Sequence, residues 1–255
     1  MPEVSIVTCT LDIDNEFFRT LKSIQSQKSI EVECIAVLPF TYDQKSLQNV
    51  SKNTDLQNLS FVRQDKSGIY NAMNAGLRVA TGKYCLFLNA GDKLANIDSL
   101  WILRRTIGCG KWCYGRIKIL SSTGSERYYH FNPFSALKLK CSMKYVPHPA
   151  TLANTMVLKS LGGFDENLGI IADQDLIFRL SQLEPPKISS HVISVFTLGG
   201  MSSRSPFEIL HEYRNWLKSR DEIILLSPRL NYFFLAPIAF MRFARSKVKL
   251  LFKLR

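Results

Sequence analysis

The 255-residue chain has no obvious hydrophobic run long enough to cross a bilayer. Its largely apolar segment at 230–241, "LNYFFLAPIAFM", is broken by Pro237, whereas a membrane-spanning helix needs about twenty residues. No cationic segment followed by an apolar one precedes Val4, as a secretory signal would require. Hydrophobic residues make up 46% and charged residues 21% of the chain, so composition favours a folded, mostly soluble protein and excludes a multi-span membrane protein.

The chain also lacks a zinc-ligand pattern. Cys109 and Cys113 are four residues apart, but no second cysteine pair or nearby histidine completes a set of four ligands. The cysteines lie mostly in or near apolar stretches, and we expect reduced structural thiols in a reducing cytoplasm. The six cysteines are Cys9, Cys34, Cys85, Cys109, Cys113 and Cys141.

Acidic residues are absent from 228–255, which contains seven basic residues out of a net charge of +12. An apolar helical face there, with Ala244, Val248 and Leu251, adjoins a basic one. We therefore predict a domain at 1–227 and a basic amphipathic helical tail at 228–255 that binds the anionic inner face of the cell membrane. The alternative is a packed terminal helix with a solvated basic end. The body has no recognition motif for nucleic acid, so we expect no nucleic-acid partner.

Strand and helix patterns alternate along the first third of the chain. Val4–Thr8 reads as a strand, Asn15–Gln27 has apolar residues at helical spacing, and Ile69–Ala80 repeats that spacing before Gly82. This order predicts an α/β fold with a Rossmann-like, mostly parallel sheet covered by helices on both faces. The sequence pattern of residues 96–227 predicts α+β structure that shapes a substrate site.

The stretch "YCLFLNAGDKL" at 84–94 is a short apolar strand that stops at a turn carrying Asn89 and Asp92. In open parallel sheets the ligand crevice lies beyond the carboxyl ends of the strands. One carboxylate is sufficient there for Mg²⁺ or Mn²⁺, since such ions also take phosphate and water oxygens. The alternative is an aspartate that only bonds to backbone N–H groups of its own turn.

The surrounding block, "DKSGIYNAMNAGLRVATGKYCLFLNAGDKL" at 65–94, resembles family 2 glycosyltransferases of the GT-A fold, in which similar residues precede a metal-binding "DXD" turn. Further blocks are similar: "VSIVTCTLD" near the N-terminus, 146–180 with its "GGFDE" turn, and "TLGGMSS" at 197–203. The matched residues of the first block are Asp65, Gly68, Ile69, Tyr70, Ala72, Met73, Asn74, Gly76, Ala80, Thr81, Gly82, Tyr84 and Asp92.

The resemblance implies an inverting, metal-dependent transferase of a hexose or N-acetylhexosamine, with a nucleotide-sugar half at 1–95 and an acceptor half at 96–227. It implies that Asp92 binds the metal and that Asp173 is the catalytic base; alternatively, Asp173 caps the following helix. Acceptor binding is expected of His148 and Asp175, and a structural role for His148 stays open. The residues expected to bind the nucleotide sugar are Thr8, Asp12, Asp65, Gly68, Asn74, Asn89 and Arg204.

Three departures from the family pattern leave alternatives. Asn89 replaces an acidic residue of the turn, Ala172 replaces the acidic neighbour of Asp173, and Leu38 and Pro39 stand where the family reads uracil. UDP is therefore an expectation from the family, as is a polyprenyl-diphosphate-linked acceptor in bacterial surface polysaccharide (O-antigen type) synthesis. One rival is an inactive nucleotide-sugar binder or scaffold. Another is a nucleotidyltransferase, but no glycine-rich loop with basic residues follows the first strand.

Overall fold

The computed structural model describes residues 2–42, 58–121, 124–140 and 144–197, together with 212, 213, 215–217 and 220. Within these residues the strands are β1 (Val4–Cys9), β2 (Val32–Leu38), β3 (Leu59–Arg63), β4 (Tyr84–Phe87), β5 (Lys93–Leu94), β6 (Trp112–Leu120), β7 (Glu126–Tyr129), β8 (Thr151–Asn154) and β9 (Lys187–Thr197). The helices are α1 (Asn15–Gln25), α2 (Ile69–Val79), α3 (Ser99–Ile107), α4 (Ala136–Lys140), α5 (Thr155–Ser160) and α6 (Ala172–Leu183).

The first four strands form a parallel unit in the order β3-β2-β1-β4. Every residue of β1 and β4 is buried, as expected for parallel strands covered on both faces. These strands therefore have apolar residues on both faces and do not alternate strictly between apolar and polar residues. This half confirms the predicted Rossmann-like arrangement.

The second half of the sheet is mixed. β8 pairs antiparallel with both β4 and β6, β6 pairs parallel with β9, and β5 and β7 add antiparallel edges. The described residues thus form one nine-stranded sheet in an α/β fold, which confirms the predicted fold class. The antiparallel β8 brings the segment just before it, at 148–150, to the end of β4.

Helices cover opposite faces of the parallel unit. Phe17 and Leu21 of α1 pack in one buried cluster with Ile6, whereas Ala72 and Met73 of α2 pack in the other. The backbone of α2 approaches β1 closely at Gly76, because a Cβ there would lie 2.4 Å from Val7 Cγ1. A side chain at this position would push the helix off the sheet.

Several predictions fall outside the described residues: Arg204, Cys141 and the whole tail at 228–255. Among the residues that the structure describes, none forms a helix long and apolar enough to cross a membrane.

Candidate active site

The carboxyl ends of β1, β2 and β4 meet at one edge of the sheet. Thr10 N donates to the Val37 carbonyl (3.1 Å), and Ala90 N donates to the Cys9 carbonyl (3.0 Å). The chain therefore leaves all three strands at the same level, which is where an open parallel sheet forms its ligand crevice. The turn after β4 lies at this edge.

The turn at 89–92 is fixed by its backbone. Asp92 N donates to the Asn89 carbonyl (3.0 Å), and Gly91 takes a φ of 94° that favours glycine. From α1, Thr20 Oγ1 accepts from Gly91 N (3.1 Å) and donates to the Asp92 carbonyl (2.6 Å). From β9, Thr197 Oγ1 donates to the Gly91 carbonyl (3.0 Å). Two elements thus hold the turn by its main chain.

The side chains of this turn are left with few partners. Asp92 is 7% exposed, and its Oδ1 accepts a hydrogen bond from Thr197 N (3.2 Å). Burial raises the pKa of this carboxyl to about 7, and the hydrogen bond from Thr197 N opposes the shift. Asn89 Oδ1 is buried and has no hydrogen-bond partner among the described residues. A buried carboxylate and an orphaned amide oxygen are three residues apart in one fixed turn.

These donors fit a hard divalent cation. The described part of the chain has no cluster of three or more His, Cys, Asp or Glu side chains that would form a full protein cage. Mg²⁺ and Mn²⁺ sites that also take substrate phosphates need only one or two protein carboxylates. Asp92, with Asn89 as a neutral oxygen donor, matches that kind of site.

Asp173 lies in the first turn of α6 and is partly buried. Its Oδ1 accepts from Gln174 N (2.7 Å) and its Oδ2 from Gln174 Nε2 (3.1 Å). Burial raises the pKa of this carboxyl to about 6, while the hydrogen bonds from Gln174 oppose the shift. The helix begins at Ala172 with Ile171 in the N-cap position, so Asp173 is not the cap. A partly exposed carboxylate with a raised pKa suits a general base.

His148 lies on the loop before β8 and contacts the last residue of β4. Its ring stacks on Phe87 (centroids 5.4 Å apart) and meets the edge of Phe164 (5.5 Å). Its Nε2 is buried and finds no hydrogen-bond partner within the described part of the chain, and burial lowers the pKa of the ring to about 4. The imidazole is therefore neutral at physiological pH, with one polar atom left to meet a ligand.

The geometry does not support acceptor binding by Asp175. This side chain is fully buried, and both carboxylate oxygens accept from protein donors. Arg179 Nε binds Oδ2 (2.8 Å), Trp216 Nε1 binds Oδ1 (2.7 Å), and Arg220 donates to both oxygens. Asp175 joins Trp216 and Arg220 to α6, and its fully buried side chain offers no exposed oxygen to a sugar.

Asn74 also has a structural position rather than the expected contact with the donor. Its Nδ2 donates to the Phe164 carbonyl (2.9 Å) and to Glu166 Oε1 (2.9 Å), and its Oδ1 accepts from Phe164 N (2.9 Å). A Cβ at Gly163 would lie 2.4 Å from Asn74 Oδ1. The asparagine therefore joins α2 to the "GGFDE" turn, and this explains why that turn needs a glycine.

The other expected donor-binding residues have varied surroundings. Thr8 is fully buried inside β1, so its hydroxyl does not reach the crevice surface. Asp12 is exposed and accepts from Ile13 N (2.8 Å) and from the Tyr42 hydroxyl, whose hydrogen bond lowers the pKa of the carboxyl. Asp65 is exposed and pairs with Arg78 (2.5 Å), and Gly68 precedes α2 with open space around it.

One residue near the site was missed by sequence reasoning. Gln174 contacts Asp173 and, through the same side-chain amide, the backbone of Val146. In the sequence, Gln174 is marked only by its position next to Asp173, in a motif whose expected functional residues are carboxylates. The pairing with Val146, 28 residues away, is visible only in the folded chain.

No protein-family model matches the chain. An uncharacterised glycosyltransferase from Mycobacterium tuberculosis is 27% identical over 223 residues, which cover 84% of this chain and 82% of that protein. A PGL/p-HBAD biosynthesis glycosyltransferase from Mycobacterium bovis is 32% identical over 108 residues, which cover 42% of each chain.

Two solved structures share the fold. Staphylococcus aureus TarS in complex with UDP-GlcNAc has a TM-score of 0.68 at 20% identity, covering 92% of this chain and 71% of that chain. The mannosyltransferase PcManGT from Pyrobaculum calidifontis, in complex with GDP-Man and Mn²⁺, has a TM-score of 0.65 at 14% identity, covering 98% and 81%. By sequence the chain is thus similar to glycosyltransferases over most of its length, and its fold is the one that these two enzymes share; together these findings support a glycosyltransferase.

Proposed function

We propose that this protein is an inverting, metal-dependent glycosyltransferase that moves a hexose or N-acetylhexosamine from a nucleotide-diphosphate sugar to a sugar acceptor. The observation that carries the proposal is the turn at 89–92. It holds a buried carboxylate and a buried amide oxygen, with no cation paired to the first and no hydrogen-bond partner for the second among the described residues, at the carboxyl edge of parallel strands. Such a site is costly for the folded protein unless a cation binds there.

Four residues of the site have proposed roles in the transfer. A divalent cation held by Asp92 and Asn89 would neutralise the charge of the leaving diphosphate. Asp173 accepts the proton of the acceptor hydroxyl while that oxygen forms its bond to the anomeric carbon and the bond to the diphosphate breaks. A single displacement with one base inverts the anomeric configuration. His148, neutral at physiological pH, offers its ring nitrogen as a hydrogen-bond partner for acceptor or diphosphate.

Two exposed acidic residues complete the proposed donor site. Asp12 and Asp65 are exposed carboxylates beside the ends of β1 and β3, so their oxygens are accessible to ribose or sugar hydroxyls. We keep residues 1–95 as the nucleotide-sugar half and 96–227 as the acceptor half. UDP is the first nucleotide to test, because TarS was solved in complex with UDP-GlcNAc, and GDP is second, because PcManGT was solved in complex with GDP-Man.

The acceptor that we propose is polyprenyl-diphosphate-linked, in bacterial surface polysaccharide synthesis, with the enzyme peripheral on the cytoplasmic face of the membrane. The support is the basic composition of 228–255, where seven cations and no anion occur. Cosedimentation with anionic and with neutral vesicles at the same salt tests this step. Equal retention on both vesicle types, or stronger retention on DNA, would remove the membrane role.

The central experiment is calorimetric binding of UDP, GDP, dTDP and CDP, each with and without Mn²⁺. Wild type should bind one nucleotide in a Mn²⁺-dependent way, and Asp92→Asn should abolish that binding. Asp98→Asn is the matched control, because it makes the same charge change at an exposed position six residues away. Unchanged binding by Asp92→Asn would refute the metal site. Donor binding without hydrolysis or transfer of UDP-GlcNAc or GDP-Man would favour the inactive binder.

A further inference from the structure

Gln174 makes contacts on both sides of the proposed base. Its backbone N–H donates to Asp173 Oδ1 (2.7 Å) and its side-chain Nε2 to Asp173 Oδ2 (3.1 Å). Both carboxylate oxygens of the base therefore accept from the same neighbouring residue. The Gln174 side chain is 7% exposed, so these bonds form in a largely dry environment where each has a larger effect.

The same amide group also pairs with the backbone of the acceptor-side loop. Gln174 Oε1 accepts from Val146 N (2.9 Å), and Nε2 donates to the Val146 carbonyl (3.1 Å). Val146 is fully buried and lies outside every strand of the described residues. One side chain thus satisfies both backbone groups of a loop residue, as an adjacent strand would.

This loop leads directly to the other polar atoms of the site. Val146 is followed by Pro147 and His148, and His148 stacks on Phe87, the last residue of β4. The two prolines that flank His148 limit the backbone freedom of the segment. A connected series of contacts therefore runs from Asp173 through Gln174 and the loop to the strand that ends in the metal-site turn.

We propose that Gln174 is a positioning residue that holds the Asp173 carboxylate and the Val146–His148 segment in one fixed arrangement. The inference rests on the proposed role of Asp173 as base. Gln174 contacts no substrate in this scheme and acts through Asp173 and the loop. Replacing it should therefore change how Asp173 is charged and oriented, and should leave donor binding unchanged.

The charged groups around α6 are engaged elsewhere. On the helix itself, Asp175 pairs with Arg179 and with Arg220 of the C-terminal segment. From α4, Lys140 lies over the ring of Phe178. The loop contributes His148, which is neutral at physiological pH. Burial raises the pKa of Asp173, the Gln174 hydrogen bonds and one from its own backbone lower it, and no ionic partner among the described residues shifts it.

The test compares Gln174→Met and Gln174→Glu with Gln182→Met and Gln182→Glu, matched controls at an exposed position of the same helix. Gln174→Met removes the side-chain donor, so the apparent pKa of the acidic limb of the kcat/KM profile should rise by about one unit. Below that pKa, kcat/KM should fall about tenfold. The shift should be larger in Gln174→Glu, which adds a like charge. KM for the donor and the Gln182 variants should be unchanged. An unmoved limb, or a loss equal at every pH, overturns the proposal.

A second measurement needs neither activity nor a Gln174 variant. In wild type, the side-chain amide resonance of Gln174 should titrate with the same midpoint as the Asp173 carboxyl, and this titration should disappear in Asp173→Asn. A Gln174 resonance that does not follow Asp173 overturns the inference, even if transfer is observed. If the resonances titrate together but no transfer occurs with any donor, the proposed function fails while the coupling stands.

Discussion

Asp173 and Asp175 lie two residues apart on α6, and their carboxylates have opposite surroundings. Asp173 is partly exposed and accepts two hydrogen bonds from its neighbour Gln174, with a pKa raised by burial to about 6. Asp175 is fully buried between two arginines and a tryptophan. The same residue type in one helical turn thus has the surroundings proposed for a catalytic base in the first case and those of a structural ion pair in the second.

The contrast extends to two regions of the molecule. In the bracing region, which we define as Asn74, Phe164, Glu166, Asp175 and Trp216, the polar groups are paired with one another or with nearby chain. In the strand-end region, which comprises Asn89, Asp92, His148 and Asp173, Asn89 Oδ1 and His148 Nε2 are buried with no hydrogen-bond partner among the described residues, and burial raises the pKa of both carboxyls. The two regions thus differ in how far their polar groups are paired and charge-compensated, and not in residue type.

The largest expected effect is that of Asp173→Asn on transfer. A missing general base should lower kcat by about 10²–10⁴-fold, while Mn²⁺-dependent nucleotide binding stays within about twofold of wild type because Asp173 does not touch the metal turn. Single-turnover transfer and calorimetry measure the two quantities. Retained transfer in this variant would place the base elsewhere.

In the bracing region the expected effect is on folding. Asp175→Asn keeps the shape but removes the charge that pairs with Arg179 and Arg220. Breaking such a buried pair costs about 3 kcal/mol in free energy of unfolding, which urea denaturation followed by tryptophan fluorescence would measure. The protein that remains folded should bind nucleotide normally. A selective loss of acceptor affinity without loss of stability would instead restore the acceptor role expected from the sequence.

Asp92→Asn should raise the free energy of unfolding, whereas Asp175→Asn should lower it. Burial raises the pKa of this carboxyl to about 7, so folding penalises the ionised form, and stability falls as pH rises from about 4 through 7. At pH 8 without metal, the variant should be about 1–3 kcal/mol more stable than wild type, and the difference should vanish near pH 4. Mn²⁺ should raise the Tm of wild type and not of Asp92→Asn. A metal-free variant less stable than wild type at pH 8 would mean that Asp92 only holds its turn.

The sequence predicts much of the parallel half of the sheet and of the strand-end turn, and little of the bracing region. Apolar strands such as β1 and the helical spacing of α2 are local patterns, so the parallel half of the sheet follows from them. The position of Asp92 at a strand end follows in the same way. The partners of Asn74 and Asp175 lie more than forty residues away, apart from Arg179. Local patterns carry no information on such pairs, so motif matching gave both residues ligand roles.

The smallest expected effect is that of His148→Phe. A phenyl ring keeps the stack on Phe87 and the contact with Phe164 and removes the buried Nε2 that has no partner. If that nitrogen meets a ligand, kcat/KM should fall about tenfold, the equivalent of one lost hydrogen bond, while stability at pH 7.5 stays the same or rises slightly.

The pH dependence of stability separates a ligand role for His148 from a packing role. Folding lowers the pKa of this ring to about 4 from an ordinary value of 6.5, so between these pH values the unfolded chain binds a proton that the folded chain does not. Its contribution to the free energy of unfolding is complete above 6.5 and falls by about 1 kcal/mol per pH unit below it. His148→Phe should remove that slope in urea denaturation whatever the role. Transfer that is unchanged while the slope disappears would place His148 in the bracing region, and the strand-end region would then consist of the turn and Asp173 alone.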